Sequence, residues 1–171
     1  LLEQTSRLIS PALTEWVKFI TFLGNHAFLI PAFSLLILIL LWQRQKKEAL
    51  QTLLIALSSL LIMSVFKNLF QRARPENPLI DGITNYSFPS GHALMSISFY
   101  GLLIWLAERH LKQQKFLRNL VIGCLVLLIL LIGFSRIYLR VHYPSDVIAG
   151  YCIGIAWLWL GLRITSRIRV S

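Results

Sequence analysis

Five long stretches without a formal charge leave this chain few ways to fold. Phe19–Trp42, Ala49–Phe66, Phe88–Ala107, Asn119–Phe134 and Val147–Leu162 contain no Asp, Glu, Lys or Arg. A helix needs about 20 apolar residues to cross a bilayer, with about 17 to 25 usual. Inside hydrocarbon every backbone N–H and C=O must be satisfied within a helix or a closed barrel. The runs lack the period-two alternation of barrel strands, so helices are expected, and the last two runs should extend by a turn into their loops. The expected fold class is all-α, a polytopic transmembrane bundle with five spans in this chain. Composition agrees. With 56% hydrophobic residues, 14% charged and a mean hydropathy of +0.67, the chain is too apolar for disorder. It also carries too few charges to cover a soluble globule of 171 residues.

The net charge of +10 is unevenly placed. Gln43–Lys47, Arg109–Arg118 and the tail with Arg163, Arg167 and Arg169 hold ten of the 17 basic residues, all on one side if the spans alternate. The positive-inside bias makes that side, with the C-terminus, cytoplasmic. Basic residues there orient the protein and meet anionic lipid, and no aromatic-rich basic groove argues for nucleic acid. Five crossings that end inside begin outside, so a sixth span is expected before Leu1. The chain reads as one domain over 1–171, with an outer segment at 1–18 and a transmembrane bundle at 19–171. The outer segment mixes apolar and polar residues around Pro11 and fits either an interfacial helix or a linker. No internal repeat or broken helix is evident. Cys124 and Cys152 lie in apolar runs without metal spacing, as lipid-side or core thiols. Gly150 and Gly154 form G-x-x-x-G, which suits close packing within the bundle.

The outer loops carry the chemistry. Lys67 is followed by Arg74-Pro75, then by Pro89-Ser90-Gly91-His92 at the start of a span, then by Ser135-Arg136, His142 and Asp146. Ionisable residues at membrane spans are expensive and are functional candidates by default. Lys67, Arg74 and Arg136 would converge most simply on a shared dianion such as phosphate, which Arg binds as a planar fork and Lys as a point charge. Ser90 and the Gly91 amide open a helix whose N-terminus favours an anion. Asp146 lies four residues after His142, so one helical turn puts both on a face. A carboxylate that accepts Nδ1–H leaves Nε2 as an unprotonated nucleophile. His92, from the other loop, is then free to protonate a leaving alkoxide. The outer loops hold only Glu76, Asp81 and Asp146 as carboxylates, too sparse for a two-metal site, and no P-loop exists. No metal or cofactor is expected.

These three motifs, in this order and spacing, resemble the signature of the type 2 phosphatidic acid phosphatases. That family comprises membrane lipid phosphate phosphatases related to vanadium haloperoxidases and glucose-6-phosphatase. The resemblance covers Lys67–Asp146 directly. It implies six transmembrane helices and an active site at the outer leaflet of the cytoplasmic membrane. It further implies His142 as nucleophile forming a phosphohistidine, Asp146 as its partner and His92 as acid. Lys67, Arg74, Ser90, Gly91 and Arg136 would bind phosphate. It implies no metal requirement and inhibition by vanadate. The short loops resemble bacterial members, whose substrates include phosphatidylglycerophosphate, undecaprenyl pyrophosphate, phosphatidate and lipid A phosphates. The expected partners are a lipid phosphate substrate and membrane lipids.

Other residues have blander readings. His26 and His110 read as interfacial side chains without a motif. Arg72 and Arg140 lie outside the signature and read as solvated loop charges, with a second phosphate or headgroup as the other reading. Tyr138 and Tyr143 flank the site and are candidates for the lipid entrance. A transporter or a non-hydrolysing lipid-binding protein would use the same charged site and is the alternative function.

Overall fold

The structure is a computed structural model that describes residues 10–80 and 82–167. Residues 1–9 of the expected outer segment, Asp81 and the basic Arg169 lie outside the described residues. The described residues form six α-helices and no strand. They are α1 (Pro11–Phe22), α2 (His26–Trp42), α3 (Lys46–Phe70), α4 (Gly91–His110), α5 (Lys115–Tyr138) and α6 (Pro144–Ser166).

Local sequence sets most boundaries. Ser10 caps α1, accepting the Leu13 N–H at 3.3 Å, and Pro11 occupies the first turn, where its missing N–H costs nothing. Pro11 therefore starts a helix, where the sequence pattern had only shown an interruption. Asn25 caps α2 by accepting the Ala27 N–H at 3.0 Å. Ser90 caps α4, and Pro144 opens α6. α3 stops at Gln71, which takes a left-handed conformation with φ 44°.

The bundle differs from expectation in its spans. α3, α5 and α6 are long and apolar enough to cross a membrane, and α1 with α2 makes a fourth candidate bent by 40°. The expected Phe19–Trp42 span is thus a broken helix, against the expectation of none. Gly24 sits at the break in tight quarters. A Cβ there would lie 2.5 Å from Ile132 Cγ2 and 3.2 Å from His92 Cδ2. The expected Phe88–Ala107 span begins instead at Gly91 and falls outside that set. α4 is the central helix, with 11 residues buried, so Ser96, Ser98 and Tyr100 face protein rather than lipid. The Ser98 hydroxyl lies 3.1 Å from the Leu94 carbonyl and 2.9 Å from Ser59 Oγ, which satisfies it locally.

α4 packs against α3, α5 and α6. The largest core cluster joins Phe33 of α2, Ile55 of α3, Leu94, Phe99 and Leu102 of α4, and Ile132 of α5. The outward faces carry large apolar side chains such as Leu61, Leu127 and Trp159, as a lipid-facing surface requires. Cys124 and Cys152 lie on that exposed surface, the lipid-side alternative. Gly150 and Gly154 turn inward. Their Cβ positions lie 2.7 Å from Ser90 O and 2.8 Å from Ile97 Cβ, so α6 is seated backbone-close on α4. Packing within the bundle is what this G-x-x-x-G serves.

One end of the bundle gathers the basic loops. Glu48 of α3 pairs with Arg109 at 2.7 Å and with His110 at 2.8 Å, and Lys47 donates to the Ser166 carbonyl at 2.6 Å. His110 therefore keeps the helix-end position expected and gains a partner in Glu48 that the sequence did not show. A buried carboxylate needs such partners, and only the tertiary fold brings them.

Candidate active site

The opposite end collects the last turns of α3 and α5, the first turns of α4 and α6, and the loops 71–90 and 139–143. Each expected site residue falls there. Lys67 ends α3, Ser90, Gly91 and His92 open α4, Arg136 ends α5, and Asp146 is in the first turn of α6.

His142 is at the centre and is buried. Its two ring nitrogens face different surroundings. Nε2 lies 3.3 Å from Arg74 Nη1. Nδ1 lies 3.4 Å from Ser87 Oγ and 3.6 Å from Asp146 Oδ2. The expected His142–Asp146 pair is in place, with Nδ1 and Oδ2 at 3.6 Å and the Ser87 hydroxyl beside them. Ser87 Oγ donates to Asp146 Oδ2 at 2.5 Å, and the Tyr143 N–H donates to the same oxygen at 2.9 Å. Burial holds the His142 ring down at about pKa 4, and Arg74, Arg136 and Lys67 push the same way against its link to Asp146.

The three cations come from three places. Arg74 is held by the Val141 carbonyl at 2.5 Å, by the Asn85 carbonyl at 2.7 Å and by Asn85 Oδ1. Burial lowers its pKa from the usual value. Lys67 donates to the Tyr86 carbonyl. Arg136 is buried and donates to Thr21 Oγ1 at 2.7 Å, while its Nε has no hydrogen-bond partner. Thr21, in the last turn of α1 just before the break at Gly24, thereby ties α1 to α5. Lys67, Arg74 and Arg136 lie within electrostatic range of one another, an arrangement that invites an anion.

His92 lies within electrostatic range of His142, Arg74 and Arg136, and its Nε2 is buried without a hydrogen-bond partner. Such orphaned polar atoms mark places where a ligand or water belongs. A Cβ at Gly91 would meet Met63 Sδ at 2.6 Å, so a larger residue there would require the flexible Met63 side chain to move. Ser90 is fully buried, and its Oγ caps α4 by accepting the Ala93 N–H at 3.4 Å. Among the described residues no group of three His, Cys, Asp or Glu is placed to hold a metal ion.

Two readings of flanking residues change. Arg72 is not a solvated loop charge. Its Nη1 binds Asp146 Oδ1 at 2.7 Å and Ser145 Oγ at 2.9 Å, and its guanidinium lies 4.2 Å over the Tyr143 ring. Tyr138 is fully buried, with its hydroxyl 3.1 Å from Thr14 Oγ1, and lines no entrance. Sequence reasoning passed over Ser87, Asn85 and Thr21. Ser and Thr are common enough that no spacing marked them, and only their distance from a buried charge does.

Fold and site together define a multi-pass, all-helical membrane protein with a buried His–Asp pair ringed by cations. The chain belongs to the PAP2 superfamily, which matches residues 48–169. It is 29% identical over 159 residues to phosphatidylglycerophosphatase B of Bacillus subtilis, covering 93% of this chain and 78% of the relative. It is 30% identical over 155 residues to an undecaprenyl-diphosphatase of Sulfolobus acidocaldarius, covering 86% of this chain and 68% of the relative. The crystal structure of a transmembrane PAP2-type phosphatidylglycerolphosphate phosphatase from Bacillus subtilis superposes with a TM-score of 0.89 at 26% identity, over 98% of this chain and 84% of that one.

Proposed function

We propose that the chain is a metal-independent lipid phosphatase. It hydrolyses a phosphomonoester or pyrophosphate of a membrane lipid at the outer face of the cytoplasmic membrane, as one catalytic unit. Phosphatidylglycerophosphate, undecaprenyl pyrophosphate and phosphatidate are the substrate candidates, and the relatives' names favour the first two. The observation that carries the reading is the placement of His142. Its Nε2 edge meets Arg74 at 3.3 Å, while Nδ1 turns toward Ser87 and Asp146. A neutral imidazole beside a phosphate-binding guanidinium is a nucleophile aimed at phosphorus.

In this mechanism Lys67, Arg74, Arg136 and the Ser90–Gly91 turn hold the phosphoryl oxygens. The three cations offset the charge that develops on those oxygens. His142 Nε2 attacks phosphorus and the P–O bond to the lipid breaks. His92, protonated once the phosphate dianion is bound beside it, gives that proton to the departing oxygen, then takes one from the water that hydrolyses the phosphohistidine. The product phosphate leaves and His142 returns neutral. Asp146 holds the His142 ring and stabilises the positive charge it gains.

Phosphate release from a panel of purified lipid phosphates and pyrophosphates, in EDTA and with or without vanadate, tests this. Release in EDTA that vanadate blocks is expected, with His142→Ala reducing kcat by about 10^4-fold or more, as loss of a nucleophile does. A strict Mg²⁺ requirement would reject the metal-free chemistry, and full activity in His142→Ala would reject the nucleophile.

A further inference from the structure

The Asp146 carboxylate is fully buried, and each of its oxygens is held by a side chain outside the three motifs. Arg72 takes Oδ1 at 2.7 Å, and Ser87 takes Oδ2 at 2.5 Å. The two holders are tied to each other, because the Ser87 N–H donates to the Arg72 carbonyl at 2.8 Å. Arg72 is itself fixed on two sides, by the Tyr143 ring at 4.2 Å and by Ser145 Oγ at 2.9 Å. Neither residue is needed to explain phosphate binding, since Arg74 already covers the Nε2 edge of His142.

We propose that Arg72 and Ser87 are a paired clamp that positions the nucleophile: they fix the rotation of the Asp146 carboxylate, and the Ser87 hydroxyl links that carboxylate to His142. The hydroxyl has one proton and two acceptor lone pairs. It donates its proton to Asp146 Oδ2 and turns an oxygen lone pair toward His142 Nδ1, 3.4 Å away. The Nδ1–H tautomer is thereby selected, and Nε2 is left bare toward phosphorus. Asp146 Oδ2 lies 3.6 Å from Nδ1, so the carboxylate and the hydroxyl that it holds face that nitrogen together. Arg72 supplies the counter-charge that keeps a desolvated carboxylate ionised and supplies its orientation through one Nη1. Both are positioning residues, acting on the reaction through Asp146. The inference rests on the nucleophilic role proposed above for His142.

The test compares Arg72→Gln, Arg72→Lys, Ser87→Ala and the Arg72→Gln/Ser87→Ala double variant with the wild-type protein in detergent micelles. The probe is the lipid phosphate that the wild type turns over fastest. Misorientation of a reacting group by about 1 Å costs on the order of 100-fold. Arg72→Gln and Ser87→Ala should each lower kcat by about 10- to 100-fold while KM and the vanadate inhibition constant stay within about threefold. Retained vanadate inhibition reports a folded phosphate site in each variant. Arg72→Lys should recover part of the rate, and free guanidinium should recover part of it in Arg72→Gln, because the Arg72 side chain is 40% exposed. The double variant should lose less than the product of the single losses, as coupled residues do. Wild-type kcat in both single variants, or losses carried wholly by KM, would overturn the clamp. Multiplicative losses in the double variant would overturn the pairing. An inactive His142→Ala beside unimpaired clamp variants leaves the proposed function standing and removes the clamp alone. An inactive wild type, or an active His142→Ala, removes both.

Discussion

His142 shows how one side chain acquires a role from its burial. A free histidine is half protonated near pH 6.5. Here the ring is out of water beside Arg74, so protonation is held off to about pH 4. The sign follows directly. Above about pH 4 the ring is neutral and, in the proposed role, able to attack, so activity should fall as one proton is taken up through that value. After correction for substrate ionisation, kcat/KM should keep its plateau down to about pH 5 and drop below it. An acid limb centred at 6.5 instead would mean that the nucleophile is solvated and ordinary. The residues of the motifs were legible as a set because each is chemically costly at a membrane edge. Ser87, Asn85 and Thr21 were not, because a hydroxyl or an amide is cheap and becomes informative only when a charged side chain comes within hydrogen-bond distance.

At the scale of elements, the α4–α6 contact decides whether the site exists. α6 delivers Asp146 and α4 delivers Ser90 and His92, and the Ser90 N–H donates to the Asp146 carbonyl at 3.0 Å. Gly150 makes that approach possible, since any side chain there would strike the Ser90 carbonyl and Ala93 Cβ, 2.7 and 2.9 Å from a Cβ. Gly150→Ala should cost about 1–3 kcal/mol of stability by overpacking and lower activity by displacing the Ser90 turn. Gly123, on the same protein, has open space around it, and Gly123→Ala should leave activity unchanged. Thermal unfolding in detergent and phosphate release check both. Wild-type stability and rate in Gly150→Ala would show that α6 can shift without harm. The G-x-x-x-G was visible in the sequence, but its partner was not, because small residues announce closeness without saying to what. The α1–α2 break was hidden for a similar reason. Gly24-Asn25 lies in an apolar run long enough to span, and hydropathy cannot register a bend.

On the scale of the whole molecule, the two ends have opposite tasks. One end ties basic loops around Glu48, and the other encloses a cationic pocket. The basic loops argue that the Glu48 end is cytoplasmic. Single cysteines placed at exposed Asn77 and Lys112, in a Cys124→Ser/Cys152→Ser background, test this with an impermeant maleimide on intact cells. Asn77→Cys should be labelled from outside and Lys112→Cys only after permeabilisation. The reverse pattern would overturn the orientation, though not the chemistry of the site.

The sequence by itself determined the class of fold, and it singled out the charged and imidazole groups that the structure collects at one end of the bundle. Each of these follows from a cost that is local: an apolar run has nowhere to go but lipid, and charges and imidazoles at its ends need a reason to be there. Only the tertiary structure decided which helix is central, where the first span breaks and which loop atoms restrain Asp146 and Arg136. Those depend on distances between residues far apart in the chain. Arg72 and Asp146 are separated by two helices in sequence and by 2.7 Å in space, and no periodicity along the chain records that closure.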